Sequence, residues 1–243
     1  MTILLTNDDG IDSPGILLLS EALRGAGRDR VLVLAPDRDR SGVSDSISFI
    51  RDPLRVHARG PDTWSCSGTP ADCVILALLG ALPEKPDFVV SGINRGPNLG
   101  TDLSYSGTAA AARQAGIYGV PAVALSLAGK GEFFWDMAVS FSLARLEEFR
   151  GRWKKGTFVN VNIPNIREGP SGTGLAFPSK RLYHDRIKDF TAPNGDKWCF
   201  VEFGEISTAD EAGSDWDRVS HNMASVSVIH AYPVNDDAVR GSV

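Results

Sequence analysis

Cysteine is scarce in this 243-residue sequence, and that scarcity argues against two ways of stabilising a fold. Cys66, Cys73 and Cys199 are widely spaced and odd in number, and no paired Cys/His spacing accompanies them. This usage is typical of a reducing compartment and disfavours both a disulfide framework and a zinc site. We interpret the cysteines as packing residues, because a chain of this length can bury a core without covalent links.

Long apolar runs and an excess of basic charge are also missing. No apolar run approaches the roughly 18 residues that a membrane span needs, and the N-terminus opens directly into a strand pattern without the features of a secretion signal. With a formal net charge of −5, the chain offers no global basic face for duplex nucleic acid. We expect a cytoplasmic protein that acts on small molecules, with no membrane and no nucleic acid duplex as partner.

The sequence does contain an alternation of apolar strands and amphipathic helices. Near-continuous apolar runs, typical of strands buried on both faces of a parallel sheet, lie at 31–35, 88–91 and 122–126. Helices are predicted to begin after the caps Ser13 and Thr69, and near Ser106 and Phe133. The alternation predicts a doubly wound three-layer α/β/α sheet.

The chain becomes rich in glycine and proline beyond Pro164 and shows no further long amphipathic helix. Residues 197–203 and 224–230 have strand patterns, so we expect a C-terminal β-hairpin arm on the sheet domain. The predicted organisation is a catalytic core over 1–164 and a loop-rich C-terminal lobe over 165–243. An oligomer contact and a solvated edge hairpin would both give such an arm.

The most informative segment is 3–10, where a run of β-favouring residues leads into Asn7, Asp8, Asp9 and Gly10. This pattern predicts a strand whose carboxyl end carries two carboxylates into a tight turn, at the edge where open α/β sheets bind ligands. Adjacent carboxylates repel each other unless a cation lies between them, and a divalent metal with oxygen ligands is the simplest such cation. An acidic turn with a helix cap would give the same residues.

A second segment, 91–108, begins at the end of a predicted strand and is rich in glycine, with asparagines at Asn94 and Asn98. Such a loop can offer backbone N–H groups to an anion. It leads through Ser106-Gly107-Thr108 into an alanine-rich helix, whose N-terminus is suited to a phosphate. A plain turn with a Ser or Thr cap is the alternative, but two asparagines in one loop favour a ligand site.

A third segment, 37–42, follows another predicted strand and reaches the same edge of the sheet. Ser41 beside Gly42 can approach a metal or a phosphate closely, and Arg38 and Arg40 could neutralise substrate charge. Taken alone, this segment would be an ordinary charged loop.

Together the three strand ends supply an all-oxygen ligand set, which favours Mg²⁺, Mn²⁺ or Ca²⁺ over zinc or copper. The set comprises Asp8, Asp9, Ser41 and Asn94. Histidine is not needed for it; only His184 is expected to approach the site, from the lobe, whereas His57, His221 and His230 lie outside these segments.

Four ordered motifs carry a resemblance to a known family. They are residues 1–15 (MTILLTNDDGIDSPG), 35–42 (APDRDRSG), 68–72 (GTPAD) and 91–108 (SGINRGPNLGTDLSYSGT). They closely resemble the SurE family, the stationary-phase survival proteins that act as metal-dependent nucleotidases, in a match collinear over about two-thirds of the chain.

The resemblance implies a Rossmann-like core with one divalent cation per subunit, Mg²⁺ or Mn²⁺ with Ca²⁺ also able to occupy the site. The implied ligands are Asp8, Asp9, Ser41 and Asn94, and the implied phosphate contacts are Asn98, Ser106, Gly107 and Thr108. The implied activity is hydrolysis of nucleoside 5′- and 3′-monophosphates, in some members also of short polyphosphate. Family members assemble through an exchanged C-terminal arm, which implies a homodimer or homotetramer.

The sequence departs from the family pattern in two places. Asp12-Ser13 stands where His-Ala is usual, which changes a helix cap and leaves the predicted ligands intact. The lobe follows the pattern only loosely, at 197–200 and 225–230.

Our mechanistic hypothesis assigns catalytic roles to Asp8, mainly as a ligand, and to Asp9, which orients or deprotonates the attacking water. A covalent aspartyl-phosphate on Asp8 is the alternative route. The alternative function is a non-catalytic sensor that binds metal and nucleotide through the same loops. The acid pair favours the enzyme, because two carboxylates beside a phosphate would oppose its binding without a metal.

Overall fold

The structure is a computed structural model that describes residues 1–234. Residues 235–243, the end of the predicted lobe, lie outside the described residues. The strands are β1 (Thr2–Thr6), β2 (Arg30–Pro36), β3 (Val56–Gly60), β4 (Thr63–Cys66), β5 (Phe88–Arg95), β6 (Ala122–Ala128), β7 (Thr157–Pro164), β8 (Thr173–Leu175), β9 (Arg181–Tyr183), β10 (Arg186–Thr191), β11 (Lys197–Glu202), β12 (Ile206–Thr208) and β13 (Ala224–His230). The helices are α1 (Pro14–Gly25), α2 (Pro70–Leu79), α3 (Gly107–Ile117), α4 (Trp135–Arg152) and α5 (Asp215–Ser220), with a short 3₁₀ helix over Gly100–Ser104.

The main sheet of the described chain has nine strands in the order β3-β4-β2-β1-β5-β6-β7-β13-β8. The run from β4 to β7 is parallel, and β3 and β13 join it in the antiparallel sense. The predicted α/β fold is confirmed. Because β1, β2 and β5 are parallel neighbours, the three segments singled out from the sequence meet at one edge.

Two apolar clusters cover the two faces of this sheet, which is why its central strands read as continuous apolar runs. One cluster packs α1 and α4 against the sheet and includes Ile16 and Phe149. The other packs α2 and α3 against the opposite face, and the small side chains of Ala109, Ala111 and Ala112 let α3 lie close to the strands. Among residues 1–234, no helix combines the length and the apolar character that crossing a membrane requires.

The predicted helix starts at Ser13 and Thr69 are confirmed. Thr69 forms a capping box with Asp72: the Asp72 N–H donates to the Thr69 hydroxyl at 3.2 Å, and the Thr69 N–H donates to the Asp72 carboxylate at 2.9 Å. Ser13 caps α1 through its backbone position alone, because its hydroxyl instead accepts a hydrogen bond from Asn7 at 2.7 Å.

The chain beyond Pro164 contributes to the main sheet as well as to the lobe. β13 pairs along its length with β7, and β8 pairs with β13 at the sheet edge. A hairpin arm is present, but it is formed by β11, one of the two predicted strands, with β10, which was not predicted; the other predicted strand, 224–230, is β13 of the main sheet. Every residue of β10 and β11 is exposed. Cys66 and Cys73 are buried as expected, but Cys199 is exposed and is no packing residue, because it lies on this hairpin.

Candidate active site

Asp8 lies just beyond the carboxyl end of β1 and is almost completely buried. Its carboxylate accepts a hydrogen bond from the Thr108 backbone N–H at 3.0 Å and another from the Thr108 hydroxyl. Its carbonyl accepts from the Arg40 N–H at 2.7 Å. Burial raises the pKa of the Asp8 carboxyl, and the bonds from Thr108 oppose that shift. Asp8 is therefore held in one orientation at the edge of the sheet.

Gly107, the first residue of α3, explains how a helix can approach Asp8 so closely. A Cβ at this position would lie 2.8 Å from the Asp8 Cβ and 3.0 Å from its Oδ2. A side chain larger than that of glycine would force the helix and the carboxylate apart. The absence of a Cβ lets the Thr108 donors and the positive end of the helix dipole meet a buried carboxylate.

Asp9 is half-buried beside Asp8, and one of its carboxylate oxygens accepts a hydrogen bond from the Arg95 N–H at 3.0 Å. Burial, and then the charge of Asp8, raise the pKa of Asp9 to about 6. The charge of Asp39 raises the pKa values of Asp8 and Asp9 further. The turn thus concentrates negative charge that a bound cation would stabilise.

Ser41 is exposed, and both its N–H and its hydroxyl donate to one oxygen of Asp39, at 2.7 Å and 2.6 Å. Asn94 lies near the end of β5, where the register with β6 shifts after Ser91. Its amide nitrogen donates to the Gly96 carbonyl at 3.0 Å, so the amide oxygen is the atom left for a ligand.

One cavity of about 1630 Å³ joins these strand ends to the lobe. From the core it is lined by Asp8, Ser41, Asn94, Asn98 and Ser106, and from the lobe by residues that include Arg181, Tyr183 and His184. Asp9, Gly107 and Thr108 do not form part of its wall. Such a volume is ample for a nucleotide, since ordinary small-molecule sites have roughly 300–1,000 Å³.

The residues predicted to bind phosphate divide into two groups. Ser106 caps α3 by accepting a hydrogen bond from the Ala109 N–H at 3.0 Å, and its own hydroxyl proton stays available to the cavity it lines. Thr108 is fully buried, and both its backbone and hydroxyl donors bind Asp8. Asn98 and Ser106 thus line the cavity, whereas Gly107 and Thr108 contact Asp8.

Asn98 is held by hydrogen bonds to residues of the sheet beneath it. Its N–H donates to the Asn162 amide oxygen at 2.8 Å, and its carbonyl accepts from the amide nitrogens of Asn160 and Asn162, each at 3.0 Å. Its own amide nitrogen donates to the Ser126 hydroxyl at 2.8 Å. The loop that carries Asn98 is therefore anchored to β6 and β7.

Two contacts tie the following turn to the lobe. The buried carboxylate of Asp215 accepts hydrogen bonds from the N–H groups of Gly100 at 2.7 Å and Ser179 at 2.9 Å. Asp102 pairs with the almost fully buried Arg181 and accepts a hydrogen bond from the Tyr183 hydroxyl. Burial, and then the bond to Asp102, raise the pKa of Tyr183 to about 12. The lobe therefore forms a fixed wall of the cavity.

The candidate ligands fit a hard divalent cation by their chemistry. The charge of Asp8 raises the pKa of the neighbouring Asp9 carboxyl. A hydroxyl from Ser41 and an amide oxygen from Asn94 complete an oxygen-only set. Within residues 1–234, no group of three or more His, Cys, Asp or Glu side chains is placed to hold a metal ion. The candidate set differs from such a group, because only two of its members are carboxylates.

Comparison with known proteins identifies the family. The family model of Survival protein SurE matches residues 3–185. The chain belongs to the SurE family. It is 39% identical to a 5′-nucleotidase SurE of Geobacter metallireducens, over 95% of this chain and 91% of that protein. It is also 39% identical to a 5′-nucleotidase SurE of Aquifex aeolicus, over 94% of this chain and 92% of that protein.

A solved structure gives the same assignment. The crystal structure of a SurE protein from Aquifex aeolicus matches with a TM-score of 0.85 and 36% identity, covering 100% of this chain and 98% of that chain. The resemblance to SurE proteins that the four sequence motifs predicted is therefore confirmed, together with the fold it implied.

Two further side chains that were expected near the site, His184 and Arg40, differ in what they contact. His184 lines the cavity as expected, and its ring lies 3.0 Å from the Ser207 hydroxyl. Arg40 was expected to be available for substrate charge, but its guanidinium donates to the Ser67 carbonyl at 2.6 Å and lies near Asp37. Arg40 therefore supports the loop rather than the cavity.

Other residues at the site were not predicted from the sequence. Asn160 and Asn162 alternate with valines in an otherwise apolar strand, and that interruption was a usable signal for buried polar partners. Asp39 looked like an ordinary loop charge. Asp215 gave no signal, because its partner Gly100 is 115 residues away in sequence.

Proposed function

We propose that this chain is a divalent-metal-dependent phosphomonoesterase that hydrolyses nucleoside 5′-monophosphates to nucleoside and phosphate. The observation that carries the proposal is the pair formed by buried Asp8 and half-buried Asp9 at the carboxyl end of β1, beside a cavity that is also lined by the N-cap of α3. The substrate class comes from the relatives named 5′-nucleotidase SurE.

Asp8, Asp9, Ser41 and Asn94 would hold one divalent cation per subunit. Mg²⁺ or Mn²⁺ is the expected ion, and Ca²⁺ suits the same oxygen donors. When bound, such an ion lowers the pKa of water at the site and stabilises charge on the phosphoryl oxygens.

Two carboxylates divide the catalytic work in this proposal. Asp9 orients the attacking water and accepts its proton at Oδ1, because Oδ2 is engaged by the Arg95 N–H. Asp8 serves mainly as a ligand, held in place by Thr108. The water attacks phosphorus, the bond from phosphorus to the nucleoside oxygen breaks, and the proton that Asp9 has accepted passes to that leaving oxygen, so that the nucleoside departs as an alcohol.

The phosphate would bind to Asn98, Ser106 and Gly107, with Thr108 acting through Asp8. The Ser106 hydroxyl lines the cavity. The N–H groups of Thr108 and Ala109 already donate to Asp8 and to Ser106, so the Gly107 N–H is the donor that the start of α3 would offer to the phosphate. Both donors of Thr108 are already engaged by Asp8, so this residue fixes the ligand that faces the phosphate.

The same site would also accept nucleoside 3′-monophosphates and the end of a short polyphosphate. Both present a terminal phosphate to the same donors, and the cavity of about 1630 Å³ leaves room for either leaving group.

We also propose a homodimer or homotetramer formed through the hairpin of β10 and β11. One face of this hairpin exposes Phe190, Trp198 and Phe200, and an apolar surface of this kind marks an interface. A cytoplasmic location stays a prediction from the cysteine usage.

The test is phosphate release from nucleoside 5′- and 3′-monophosphates, p-nitrophenyl phosphate and short polyphosphate, each with Mg²⁺, Mn²⁺ or EDTA. We expect release with a metal and none with EDTA, fastest for a nucleoside 5′-monophosphate. Nucleotide binding without release, with any metal, would contradict the enzyme and favour a sensor.

A further inference from the structure

A buried polar cluster lies beneath the loop that carries Asn98. Asn160 and Asn162 point to the face of the sheet that α3 covers, and both are fully buried. Ser126, also fully buried, is the register partner of Asn162 on β6. Buried amides lose their hydrogen bonds to water, so they persist in a core only with specific partners.

Those partners belong to one residue. Asn162 accepts from the Asn98 N–H at 2.8 Å and donates to the Asn98 carbonyl at 3.0 Å, and Asn160 gives that carbonyl a second donor at 3.0 Å. Ser126 accepts from the Asn98 side chain at 2.8 Å. Two adjacent strands therefore fix both the backbone and the side chain of Asn98.

This arrangement sets how Asn98 meets the cavity it lines. Its peptide groups cannot rotate while both the N–H and the carbonyl are bound, and one end of its amide is fixed on Ser126. The Asn98 amide nitrogen carries two N–H groups, and the one that does not bind Ser126 remains a donor for the cavity. Binding then does not have to order this side chain, which strengthens the site.

We infer that Asn162, assisted by Asn160 and Ser126, is a positioning residue of the phosphate site. It touches no substrate and acts through Asn98, whose amide it presents to the phosphate. This inference rests on the proposed function, because it concerns the phosphate subsite of that same reaction.

The chain offers a matched control on the neighbouring strand. Ser225 of β13 is the register partner of Asn162 and is equally buried. Within the described structure its hydroxyl has no hydrogen-bond partner. Truncating Ser225 therefore perturbs the same part of the core without touching Asn98.

The test compares Asn162→Ala, Ser126→Ala and Ser225→Ala by kcat, by KM and by the inhibition constant of inorganic phosphate. For Asn162→Ala we expect KM and the phosphate constant to rise together by about tenfold or more, because buried hydrogen bonds to Asn98 are lost. Ser126→Ala should raise both by about threefold, and Ser225→Ala should change neither. Mn²⁺ affinity, measured by calorimetry, should be unchanged in all three.

A purely structural role for Asn162 would lower the melting temperature and leave the phosphate constant of the folded variant at the wild-type value. That result would overturn the inference. If Asn162→Ala does not fold, Ser126→Ala decides the question, because it keeps every backbone bond to Asn98; an unchanged phosphate constant would again overturn the inference.

The two proposals fail differently. A wild-type protein that binds phosphate but hydrolyses nothing would refute the proposed function, and calorimetry of phosphate on the same variants would still decide the role of Asn162. Normal hydrolysis with an unchanged phosphate constant in the folded variants would refute the positioning role alone. A wild-type protein that neither binds nor releases phosphate would refute both.

Discussion

Asp8 and Thr108 are 100 residues apart in sequence, yet both Thr108 donors reach the Asp8 carboxylate. The contact depends on Gly107, since any Cβ there would meet the Asp8 side chain. A carboxylate at a helix N-terminus gains from the helix dipole, and its orientation is set before any ligand arrives. The geometry of the proposed metal site thus depends on residue 107 being a glycine, which has no Cβ.

Substitution of that glycine tests the dependence. We expect Gly107→Ala to lower kcat by about 100-fold, because the new Cβ displaces Asp8 or α3 by a distance that matters for in-line attack. The measurement is kcat at saturating nucleotide and metal.

A matched control for this prediction is Gly151→Ala. Gly151 lies in α4, and a Cβ at this position would have nothing within 4 Å. The alanine should therefore leave kcat unchanged and raise helix stability by about 0.5–1 kcal/mol. Equal kcat values for both variants would show that the contact between Gly107 and Asp8 is not needed.

The sequence predicted which residues gather at the site but not how they pair. Strand ends and glycine-rich loops identified Asp8, Asn98 and the start of α3, because parallel strands bring their carboxyl ends to one edge. The resemblance to SurE proteins implied that Thr108 contacts phosphate, and an N–H and a hydroxyl at a helix N-terminus suit a phosphate as well as a carboxylate. Only three-dimensional contact shows that Asp8 engages these donors.

The hairpin of β10 and β11 is the element least explained by the described chain alone. All of its residues are exposed, and Phe190 stacks on Phe200 with ring centroids 6.0 Å apart. An isolated two-stranded hairpin is marginally stable in water. Its aromatic face would therefore gain most from contact with a second subunit.

Phe200→Asp tests this role of the hairpin. A charge in the centre of the aromatic face should dissociate the proposed oligomer, because burying an unpaired carboxylate at an interface is unfavourable. Analytical ultracentrifugation should show wild-type dimers or tetramers and a smaller species for the variant. Cys199→Ser, on the opposite face of the same strand, should assemble like the wild type; a monomeric wild type would contradict the role.

The sequence predicted where strands lie better than it predicted which strands pair with each other. Residues 224–230 were predicted to be a half-buried strand, and they do form β13. The alternation of serine and valine could not reveal that this strand returns to the main sheet beside β7. Its serines face the buried asparagines of β7, so the polar half of the pattern reflects a polar cluster rather than solvent.

Across the whole molecule, core and lobe meet at the turn that follows Asn98. A Cβ on Gly100 would lie 1.9 Å from the Ser179 carbonyl oxygen, so the two segments are in direct contact. The Asp215 carboxylate joins them by accepting hydrogen bonds from both N–H groups and from that of Trp216. One buried side chain therefore secures the lobe against the phosphate loop.

Asp215→Ala should destabilise the protein by about 3 kcal/mol, because three backbone donors lose their acceptor inside the structure. Urea unfolding measures the effect. Asp215→Asn keeps one acceptor oxygen and should recover part of the loss. Asp210→Ala, at an exposed position five residues earlier in the sequence, should change the free energy of unfolding by no more than about 0.5 kcal/mol. An equally small effect at Asp215 would contradict its role in joining the lobe to the core.

The most direct measurement of the account as a whole is phosphate release from adenosine 5′-monophosphate by the wild type, Asp8→Asn and Asp12→Asn, with Mn²⁺ and with EDTA. Asp12 is exposed on the same turn and pairs with Arg59 at 2.8 Å, so its variant is a matched control. We predict metal-dependent release that Asp8→Asn lowers by about three orders of magnitude and Asp12→Asn leaves unchanged. Release that survives EDTA, or an Asp8→Asn variant as active as the wild type, would contradict a metal-dependent hydrolase centred on Asp8.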